Sequence, residues 1–282
     1  MSDIILKHGN SLIQHGSLSD RVYIMKLDPG ECEEVIDFVE KLATEKGYSK
    51  IFAKVPLSLI TTFIAGGYEE EARIPELGES PSGIAFMSNF LVKRRKKPGK
   101  THEIMQVKSA SLIRGVPRKS TPLSSEFSIK EAEIADSADL ALLYREVFAS
   151  YPFPIYDPLF IANSMTEDVR YFIISHKGEI VAAAAAEMDY DTRSVEMTDF
   201  ATNPGHRGRQ FGQILLDHME VAMIQEPIDT TYTIARAVSH GMNITFARSD
   251  YEFAGTLINN TNISGSIESM NVWYKQIVHP AN

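Results

Sequence analysis

The stretch DFATNPGHRGRQFG, residues Asp199–Gly212, decides the fold of this chain. Apolar residues leading into the stretch predict a strand that ends within it, at Thr202. Apolar residues at helical spacing predict a helix that begins within it, at about Arg209, and ends near Gln225. A proline turn and several glycines connect the two elements. Backbone N–H groups at the start of a helix, together with the helix dipole, favour a bound anion. The stretch therefore predicts a site for a diphosphate.

Several nucleotide-binding proteins place a glycine turn between a strand and a helix. A Rossmann fingerprint requires GxGxxG, and a P-loop requires GxxxxGK followed by Ser or Thr. Neither pattern occurs in Asp199–Gly212. The motif therefore argues against a nucleotide-dependent dehydrogenase and against an NTPase.

Length and charge limit the possible partners. At 282 residues the chain is about twice the length of a typical domain. The formal net charge of -9 argues against a nucleic-acid partner, because neutralising phosphates requires a surplus of Lys and Arg. The basic run Lys93–Lys97 precedes Pro98 and Gly99, and we interpret it as a solvated loop. Small cationic substrates remain compatible with this composition.

Cysteine usage and hydropathy bear on the cellular compartment. Cys32 is the only cysteine, which excludes an intramolecular disulfide and fits a reducing cytoplasm. No motif ties Cys32 to a base, which favours a structural role over that of a nucleophile. The first residues lack the apolar run of a signal peptide, and no later stretch has the length of a membrane span. We expect a cytoplasmic protein with no membrane partner; the oligomeric state is open.

The apolar pattern divides the chain into two halves, each with strands and helices. Residues 93–125 carry the basic run, three prolines and several serines, which marks a connection. We expect an amino-terminal domain at 1–97, a linker at 98–125 and a carboxy-terminal domain at 126–282. The main predicted elements are strands around Leu12–Leu27, Tyr48–Val55, Ile84–Val92, Phe127–Ile134, Tyr171–Ser175, Ile180–Met188, Val195–Thr202 and Thr231–Ala237, and helices at Glu33–Lys46 and near Ser137.

A short sequence pattern recurs in the two halves. The same residue types recur at the same spacing, and each set follows a predicted strand and short helix, so a duplicated half-domain is our hypothesis. The first half has no equivalent of RGRQFG. The matched sets are Thr62, Phe63, Tyr68 and Glu69 in the first half and Thr245, Phe246, Tyr251 and Glu252 in the second.

The run from Arg207 to Gly212 resembles the acyl-CoA signature of the GNAT superfamily of N-acetyltransferases. That signature is Arg or Gln, two residues, Gly, one residue, then Gly or Ala. Gln210 replaces the first required glycine; it keeps the backbone N–H but adds a side chain where a pyrophosphate approaches. The resemblance implies an α/β (α+β) fold with a mixed, mostly antiparallel sheet flanked by helices, and a degenerate GNAT-like amino-terminal half. It also implies acetyl-CoA as cosubstrate and no metal.

The resemblance assigns residues to the cofactor. In GNAT enzymes the pantetheine arm pairs with the backbone of the fourth strand, and Asn243 is expected to reach the same arm. Phe246 occupies the slot where many members carry a tyrosine that protonates the leaving thiolate; Tyr232 and Tyr251 are alternatives, each also explained by packing. The remaining implied contacts are Phe200, Ala201 and Thr202 for the arm and Arg207, Gly208, Arg209, Gln210, Phe211 and Gly212 for the pyrophosphate.

Longer segments resemble the archaeal and bacterial beta-lysine N-acetyltransferases. They are EMTDFATNP, YTIARA and ESMNVWYK in the second half, and SLIQHGSLSDRVYIMKL and GYEEEARIP in the first. This resemblance implies acetyl transfer to the terminal (epsilon) amine of beta-lysine, giving N-epsilon-acetyl-beta-lysine for osmoprotection, by direct attack without an acyl-enzyme. The alternatives are another polyamine or a protein amine as acceptor, and a non-catalytic acyl-CoA sensor.

Two carboxylates are candidates for the catalytic base. An alkylammonium group has a pKa of about 10.4, so it must lose a proton before its nitrogen attacks a thioester. Glu196 lies where several GNAT enzymes place a catalytic glutamate, and we prefer it as base, acting through water. Asp199 is expected to hold the substrate ammonium or to orient the strand. Simple alternation puts the two on opposite faces unless a bulge intervenes. A backbone N–H near Ala201 is expected to meet the oxyanion.

The polar segment between the last two strands is where the superfamily commonly builds acceptor specificity, although an ordinary turn also favours Asn and Ser. Arg236 is a candidate for the substrate carboxylate, with a surface ion pair as the alternative. Histidines 206, 218 and 240 lack the spacing of a metal-ligand set, and we interpret them as structural. The expected acceptor contacts are Tyr151, Arg236, Asn260, Asn262 and Glu268.

Overall fold

One mixed sheet of 13 strands runs through the computed structural model, which describes residues 3–76, 83–117 and 120–279. The strand Glu179–Asp189 contains an unbroken run of five alanines, residues 182–186, that is buried on both faces of the sheet. Such burial is typical of a central strand. The strands are β1 (Ile4–His8), β2 (Ser11–Gly16), β3 (Arg21–Lys26), β4 (Lys50–Pro56), β5 (Glu69–Ile74), β6 (Ile84–Phe90), β7 (Phe127–Glu131), β8 (Val169–His176), β9 (Glu179–Asp189), β10 (Ser194–Thr202), β11 (Thr230–Arg236), β12 (Glu252–Ile263) and β13 (Ser266–Gln276).

Helices flank this sheet. The first ends at Gly47, whose φ of 69° is a left-handed conformation that suits glycine, as the sequence predicts. The sequence did not predict β1 or the helices at Thr101–Arg114 and Pro158–Ser164. The described α-helices are α1 (Cys32–Lys46), α2 (Ile60–Ala65), α3 (Thr101–Arg114), α4 (Ser137–Val147), α5 (Pro158–Ser164), α6 (Phe211–Met223) and α7 (His240–Arg248).

The strand order is β1-β2-β3-β4-β6-β5-β12-β13-β11-β10-β9-β8-β7. Within the described residues, β3 pairs with β4 and β10 pairs with β11 in parallel, and the other pairings are antiparallel. The expected mixed, mostly antiparallel sheet flanked by helices is confirmed.

The two halves mirror each other about the middle of the sheet. The run β3-β4-β6-β5 is followed by β12-β13-β11-β10, so each of these four strands of the first half has a counterpart in the second. The recurring aromatic pairs share one geometry: Phe63–Tyr68 and Phe246–Tyr251 each lie edge to face with ring centroids 5.0 Å apart. These equivalences support our proposal that the chain contains a duplicated half-domain, divided near 97 and 126.

The halves meet where β5 pairs with β12, at Ala72 and Gly255. A Cβ atom on Gly255 would lie 2.2 Å from the Glu71 carbonyl oxygen and 2.7 Å from the Ala72 Cα atom, so the backbones approach too closely for a side chain. Beside this contact, the buried Lys50 Nζ lies 2.7 Å from Glu71 Oε2 and donates to the Ile258 carbonyl at 2.8 Å. Glycine is therefore required at the seam between the halves.

Gly255→Ala is expected to lower the free energy of unfolding by at least about 2 kcal/mol, because the backbones at the seam must separate to admit the methyl group. Urea unfolding measures the change. Gly99→Ala is the matched control, since an added Cβ there meets no atom within 4 Å. Equal stability of the two variants would contradict this description of the seam.

The basic run Lys93–Lys97 agrees only in part with the solvated loop that we expected, since four of its residues are exposed but Arg95 is buried. Residues Lys93–Lys96 form a 3-10 turn, and Arg95 is only 6% exposed. Its guanidinium donates to the Asn259 carbonyl at 2.8 Å and lies 3.1 Å from the Asp20 carboxylate. Arg95 therefore ties the β2–β3 turn to β12, since a long side chain can bury its stem and still satisfy its charge.

The segment 98–125, expected as a linker, is largely structured. It contains α3, whose Ile104 and Val107 are buried and which packs against α7. A Cβ on Gly115 would lie 2.8 Å from the Ala247 Cβ, which shows how closely the segment approaches α7. Residues 118–119 of this segment lie outside the described range.

Candidate active site

Strands β10 and β11 separate after a short paired stretch. Their parallel pairing runs from Ser194–Thr230 to Glu196–Tyr232 and stops there. Beyond this point, Thr198–Phe200 and Thr202 on β10 and Thr233–Arg236 on β11 line a cleft of about 440 Å³. Backbone groups on two diverging strands can pair with an extended chain inserted between them. The opening therefore suits a long, flexible arm.

A β-bulge lies beside this opening. The register between β10 and β9 shifts between Thr198, which faces Ala185, and Ala201, which faces Ala183. Within the shift, Asp199 has a φ of 56°, a left-handed conformation that a non-glycine residue rarely adopts. The extra residue breaks the alternation that would have put Glu196 and Asp199 on opposite faces. The two carboxylates consequently interact, and the Asp199 charge raises the pKa of Glu196.

The turn after β10 leads into the start of α6. The Asn203 side chain accepts from the Gly205 N–H at 2.9 Å, and Gly208 has a φ of 81°. The Arg207 side chain is exposed and lines the cleft. The first N–H groups of an α-helix have no partner within the helix, so the start of α6 can bind an anion at the cleft. This geometry fits the diphosphate that the motif predicts.

Gln210 stands at the amino-terminal cap of α6 with a φ of 62°, where a glycine is sterically preferred. Its side chain is exposed, and its Oε1 lies 3.5 Å from the Thr121 Oγ1. Gln210 is also not among the described residues that line the cleft. The side chain therefore turns toward Thr121, and the backbone N–H stays available at the helix start.

The expected cofactor contacts fall into two groups. Phe200, Thr202, Arg207 and Phe246 line the cleft. Side chains of Ala201 and Phe211 are buried in the core, and the Arg209 guanidinium lies 5.5 Å from the centre of the Phe127 ring. Gly208 and Gly212 offer backbone only.

Asn243 does not reach toward the cleft as we expected. Its amide donates to the carbonyls of Arg236 at 2.9 Å and Ser239 at 2.8 Å. Its Oδ1 accepts from the Asn271 amide and from the Trp273 indole N–H. The side chain is fully used in fixing the start of α7 to β11 and β13, because a buried amide requires hydrogen-bond partners. Asn243 therefore supports the cleft wall from behind.

A smaller cavity of about 90 Å³ adjoins the cleft. It brings together residues of both halves of the chain: Arg21 and Tyr23 on β3 face Glu187 on β9 and Glu196 on β10. Five residues line both spaces and so mark the passage between them: Tyr151, Thr198, Ile234, Ile263 and Met270.

Three carboxyl groups cluster at this passage. Glu187 stands directly opposite Glu196 in the β9–β10 register. Burial raises the pKa of Glu196 to about 7 and that of Asp199 to about 6, and burial together with these two neighbours raises the pKa of Glu187 well above its usual range. A carboxylate with a pKa near neutrality can accept a proton from an ammonium at physiological pH.

Tyr151 lies between the two spaces, in the loop between α4 and α5. Its hydroxyl donates to the Asp199 carboxylate, and its ring lies 5.0 Å from the Phe148 ring. Burial raises the pKa of Asp199, and this hydrogen bond offsets part of that rise because it stabilises the charged carboxylate. Tyr151 therefore holds Asp199 in position at the passage.

The remaining expected acceptor contacts separate in space. Asn260 lines the small cavity, and its buried Oδ1 has no hydrogen-bond partner in the described chain. Asn262 accepts instead from the Ser150 hydroxyl at 2.6 Å, and Glu268 is buried against Lys100 at 2.8 Å. Neither Asn262 nor Glu268 is among the described residues that line the two spaces. The polar segment was expected between the last two strands, but Asn260 and Asn262 lie within β12 and Glu268 lies within β13, where strand pairing fixes the direction of each side chain.

Arg236 lies on the cofactor side. It lines the large cleft, is not among the described residues of the small cavity, and lies 3.5 Å from the Glu268 carboxylate. This position agrees with the alternative of an ion pair and gives no support to binding of the acceptor carboxylate.

Two residues of the site escaped prediction. Glu187 follows the alanine run of β9, and counting back across the β9–β10 turn would have placed it opposite Glu196. Arg21 comes from the other half of the chain, so no local pattern could connect it with Glu196.

Neither metal ligands nor membrane spans stand out in the part of the chain that the structure describes. It shows no group of three or more His, Cys, Asp or Glu side chains placed to hold a metal ion. His206 and His218 lie against the rings of Phe127 and Phe172, at 6.1 and 5.8 Å. No described helix has both the length and the apolar character required to cross a bilayer.

The corresponding turn of the first half has a different character. Asp28 repeats the role of Asn203, because its carboxylate accepts from the Gly30 N–H at 2.8 Å. The chain then enters α1 directly with Glu33 and Glu34 in the first turn. Acidic side chains at a helix start disfavour a second anion there. The proposed anion site at the start of α6 is therefore a feature of the second half.

Comparison with known proteins identifies the family. The model of the acetyltransferase (GNAT) family matches residues 138–244. The beta-lysine N(6)-acetyltransferase of Methanococcus maripaludis is 40% identical over 271 residues, 96% of this chain and 98% of that protein. N-acetyltransferase YodP of Bacillus subtilis is 30% identical over 95% of this chain and 96% of its own length. The beta-lysine N(6)-acetyltransferase of Methanosarcina mazei is 32% identical over 57% of this chain and 59% of that protein.

Proposed function

The chain belongs to the GNAT family of acetyltransferases, and from this premise we propose that it acetylates the terminal amine of beta-lysine to give N-epsilon-acetyl-beta-lysine. One observation carries the proposal: the cofactor cleft adjoins, at Tyr151 and Thr198, a small cavity that is lined by two carboxyl groups and an arginine. Beta-lysine carries two ammonium groups and one carboxylate, which match these charges. The full-length relative from Methanococcus maripaludis supports the same acceptor.

Acetyl-CoA is the acetyl donor of this family, and the cleft provides a place for each of its parts. The backbone at residues 207–212 and the Arg207 side chain would hold the pyrophosphate. The diverging strands β10 and β11 would hold the pantetheine arm by backbone hydrogen bonds. When bound, acetyl-CoA supplies an activated thioester.

Glu196 is the base in our proposal, acting directly or through one water. It accepts a proton from the substrate ammonium, and the free amine then attacks the thioester carbonyl. An N–C bond forms, the C–S bond breaks, and the second proton on nitrogen passes to the leaving thiolate. Asp199, held by Tyr151, attracts the ammonium, and a backbone N–H near Ala201 meets the oxyanion.

Attack is direct, without an acyl-enzyme. The only cysteine, Cys32, is buried in the apolar core of the amino-terminal half, among residues of α1 and β4. Burial also raises its pKa, which disfavours the reactive thiolate. We propose a cytoplasmic location on the same basis, because the chain has no second cysteine to form an internal disulfide.

The acceptor can be identified by measuring thiol release from acetyl-CoA with a panel of amines. We expect kcat/KM for beta-lysine to exceed that for alpha-lysine, spermidine and a lysine-containing peptide by at least about tenfold, since a site that pairs buried polar groups rejects substrates that leave them unpaired. A higher kcat/KM for spermidine or the peptide would overturn the assignment.

Glu196→Gln is expected to stabilise the unliganded protein at pH 8 but not at pH 5. The folded-state pKa of about 7 lies above the ordinary 4.5, so the folded protein binds more protons than the unfolded chain between these values and loses stability as the pH rises through them. The penalty at pH 8 is up to about 3 kcal/mol, and the neutral amide removes it. Urea unfolding at both pH values measures the effect, and equal stability of variant and wild type at pH 8 would contradict it.

A further inference from the structure

Arg21 is a buried cation in the acceptor cavity. Its side chain is 3% exposed, and it donates to the Asn260 carbonyl at 2.9 Å and to Gln14 Oε1 at 3.3 Å. Both acceptors are neutral. Its Nε is buried without a hydrogen-bond partner. The Asp3 and Glu196 charges lie close enough to favour its charged form, although no carboxylate in the described chain makes a direct ion pair with it. Burial lowers the pKa of Arg21 to about 10, so the group is still charged at neutral pH.

The guanidinium is fixed by its surroundings. It lies 4.9 Å from the centre of the Tyr23 ring and 5.5 Å from that of Phe52. Both rings also line the cavity, so the charge has an aromatic wall beside it. A buried guanidinium whose hydrogen-bond acceptors are all neutral is costly, and its planar fork with a free N–H matches a carboxylate. The position therefore calls for an anionic group of a ligand.

The same cavity also carries groups of the opposite charge. Glu187 and Glu196 line it, and Thr198, two residues after Glu196, lines both this cavity and the cofactor cleft. A substrate with a carboxylate at one end and an amine at the other can place the carboxylate on Arg21 and the amine on Glu196 in only one orientation. That orientation presents the distal amine to Glu196 and to the acetyl group.

We propose that Arg21 binds the carboxylate of the acceptor, so that the amino-terminal half forms one end of the acceptor site. The inference rests on the proposed function, because it takes an amino acid as acceptor. It gives the first half a direct part in specificity: Arg21 lies on β3, whereas the base and the cofactor cleft belong to β10 and β11. Arg236 pairs with Glu268 and lines the cofactor cleft, so we do not assign the acceptor carboxylate to it.

The test compares two acceptors that differ only in the carboxylate: beta-lysine and its decarboxylated form, 1,4-diaminopentane. For Arg21→Gln we expect kcat/KM with beta-lysine to fall at least about 100-fold, chiefly through KM, because the carboxylate loses a charge-assisted hydrogen bond in a buried site. Turnover of 1,4-diaminopentane should change less than about threefold. Arg21→Lys keeps the charge but not the planar fork, and should give an intermediate loss for beta-lysine alone.

Arg95→Gln is the matched control. Arg95 is also a buried arginine of the first half, but it is not among the described residues of the cavity. It should leave the ratio of the two kcat/KM values unchanged even if it lowers stability. An equal loss for both acceptors in both Arg21 variants would show a structural role and overturn the inference. A wild type that prefers 1,4-diaminopentane would instead overturn the proposed acceptor, so the two failures are distinguishable.

Discussion

Glu196→Gln is expected to lower kcat/KM for beta-lysine about 1000-fold at pH 7, because the amide cannot accept the proton that the substrate ammonium must lose. The pKa of about 7 for Glu196 places the wild-type rise in activity near neutrality, with low activity below it where the carboxyl is protonated. The variant should lack this rise and recover activity only as the pH approaches the pKa of the amine, about 10.4. Steady-state pH profiles of both proteins measure this difference.

Glu179→Gln serves as the control for this change. Glu179 lies at the exposed start of β9, outside the cavity. Its substitution therefore makes the same change of side chain on a neighbouring strand. It should keep the wild-type profile. Retention of more than about a tenth of the wild-type kcat/KM by Glu196→Gln at pH 7 would mean that another group is the base.

Arg207→Glu should raise the KM for acetyl-CoA about 100-fold while kcat at saturating cofactor changes less than about threefold. Arg207 lines the cleft beside the start of α6, where a negative charge would repel the pyrophosphate. The effect should weaken at high salt, because the side chain is exposed. Initial rates over a range of acetyl-CoA concentrations separate KM from kcat.

A charge reversal elsewhere tests whether the effect is local. Lys41 lies on the exposed face of α1 in the first half, and Lys41→Glu changes the net charge by the same amount. It should leave the KM for acetyl-CoA within about twofold of wild type. A similar rise in both variants would attribute the effect to overall charge rather than to the cleft.

The predicted cofactor side has contiguous determinants. One stretch, Asp199–Gly212, supplies the end of β10, the turn and the start of α6, and its residues Asp199, Phe200, Thr202 and Arg207 line one cleft. A side chain's direction is not contained in such a stretch. Asn243 turns inward because Asn271 and Trp273, 28 and 30 residues away, complete its hydrogen bonds.

The acceptor side depends on contacts that sequence spacing does not show. Glu187 meets Glu196 through strand register. Arg21 lies on β3, which six strands separate from β10 in the sheet order, and it reaches the same cavity because residues of β3 and β11 pack together in one cluster. The bulge at Asp199 is a further case, since it was foreseen only as the exception to simple alternation. Local patterns fix the elements, whereas pairing across the sheet fixes which charges share a cavity.

In our proposal of a duplicated half-domain, the first half contributes to the acceptor site. The halves join through β5 and β12, and β3 is brought to the cavity on which Glu196 opens. The first half keeps the Asp28 turn but carries acidic residues where the second half carries RGRQFG. The cofactor cleft lies in the second half, and in our proposal the first half supplies Arg21 to bind the acceptor carboxylate.

The most direct test of the account is the structure of the product formed from acetyl-CoA and beta-lysine by the purified protein, determined by NMR alongside stoichiometric thiol release. We predict one acetyl group per molecule, carried by the terminal nitrogen. Acetylation of the nitrogen next to the carboxylate end, or no thiol release above the rate without amine, would contradict it.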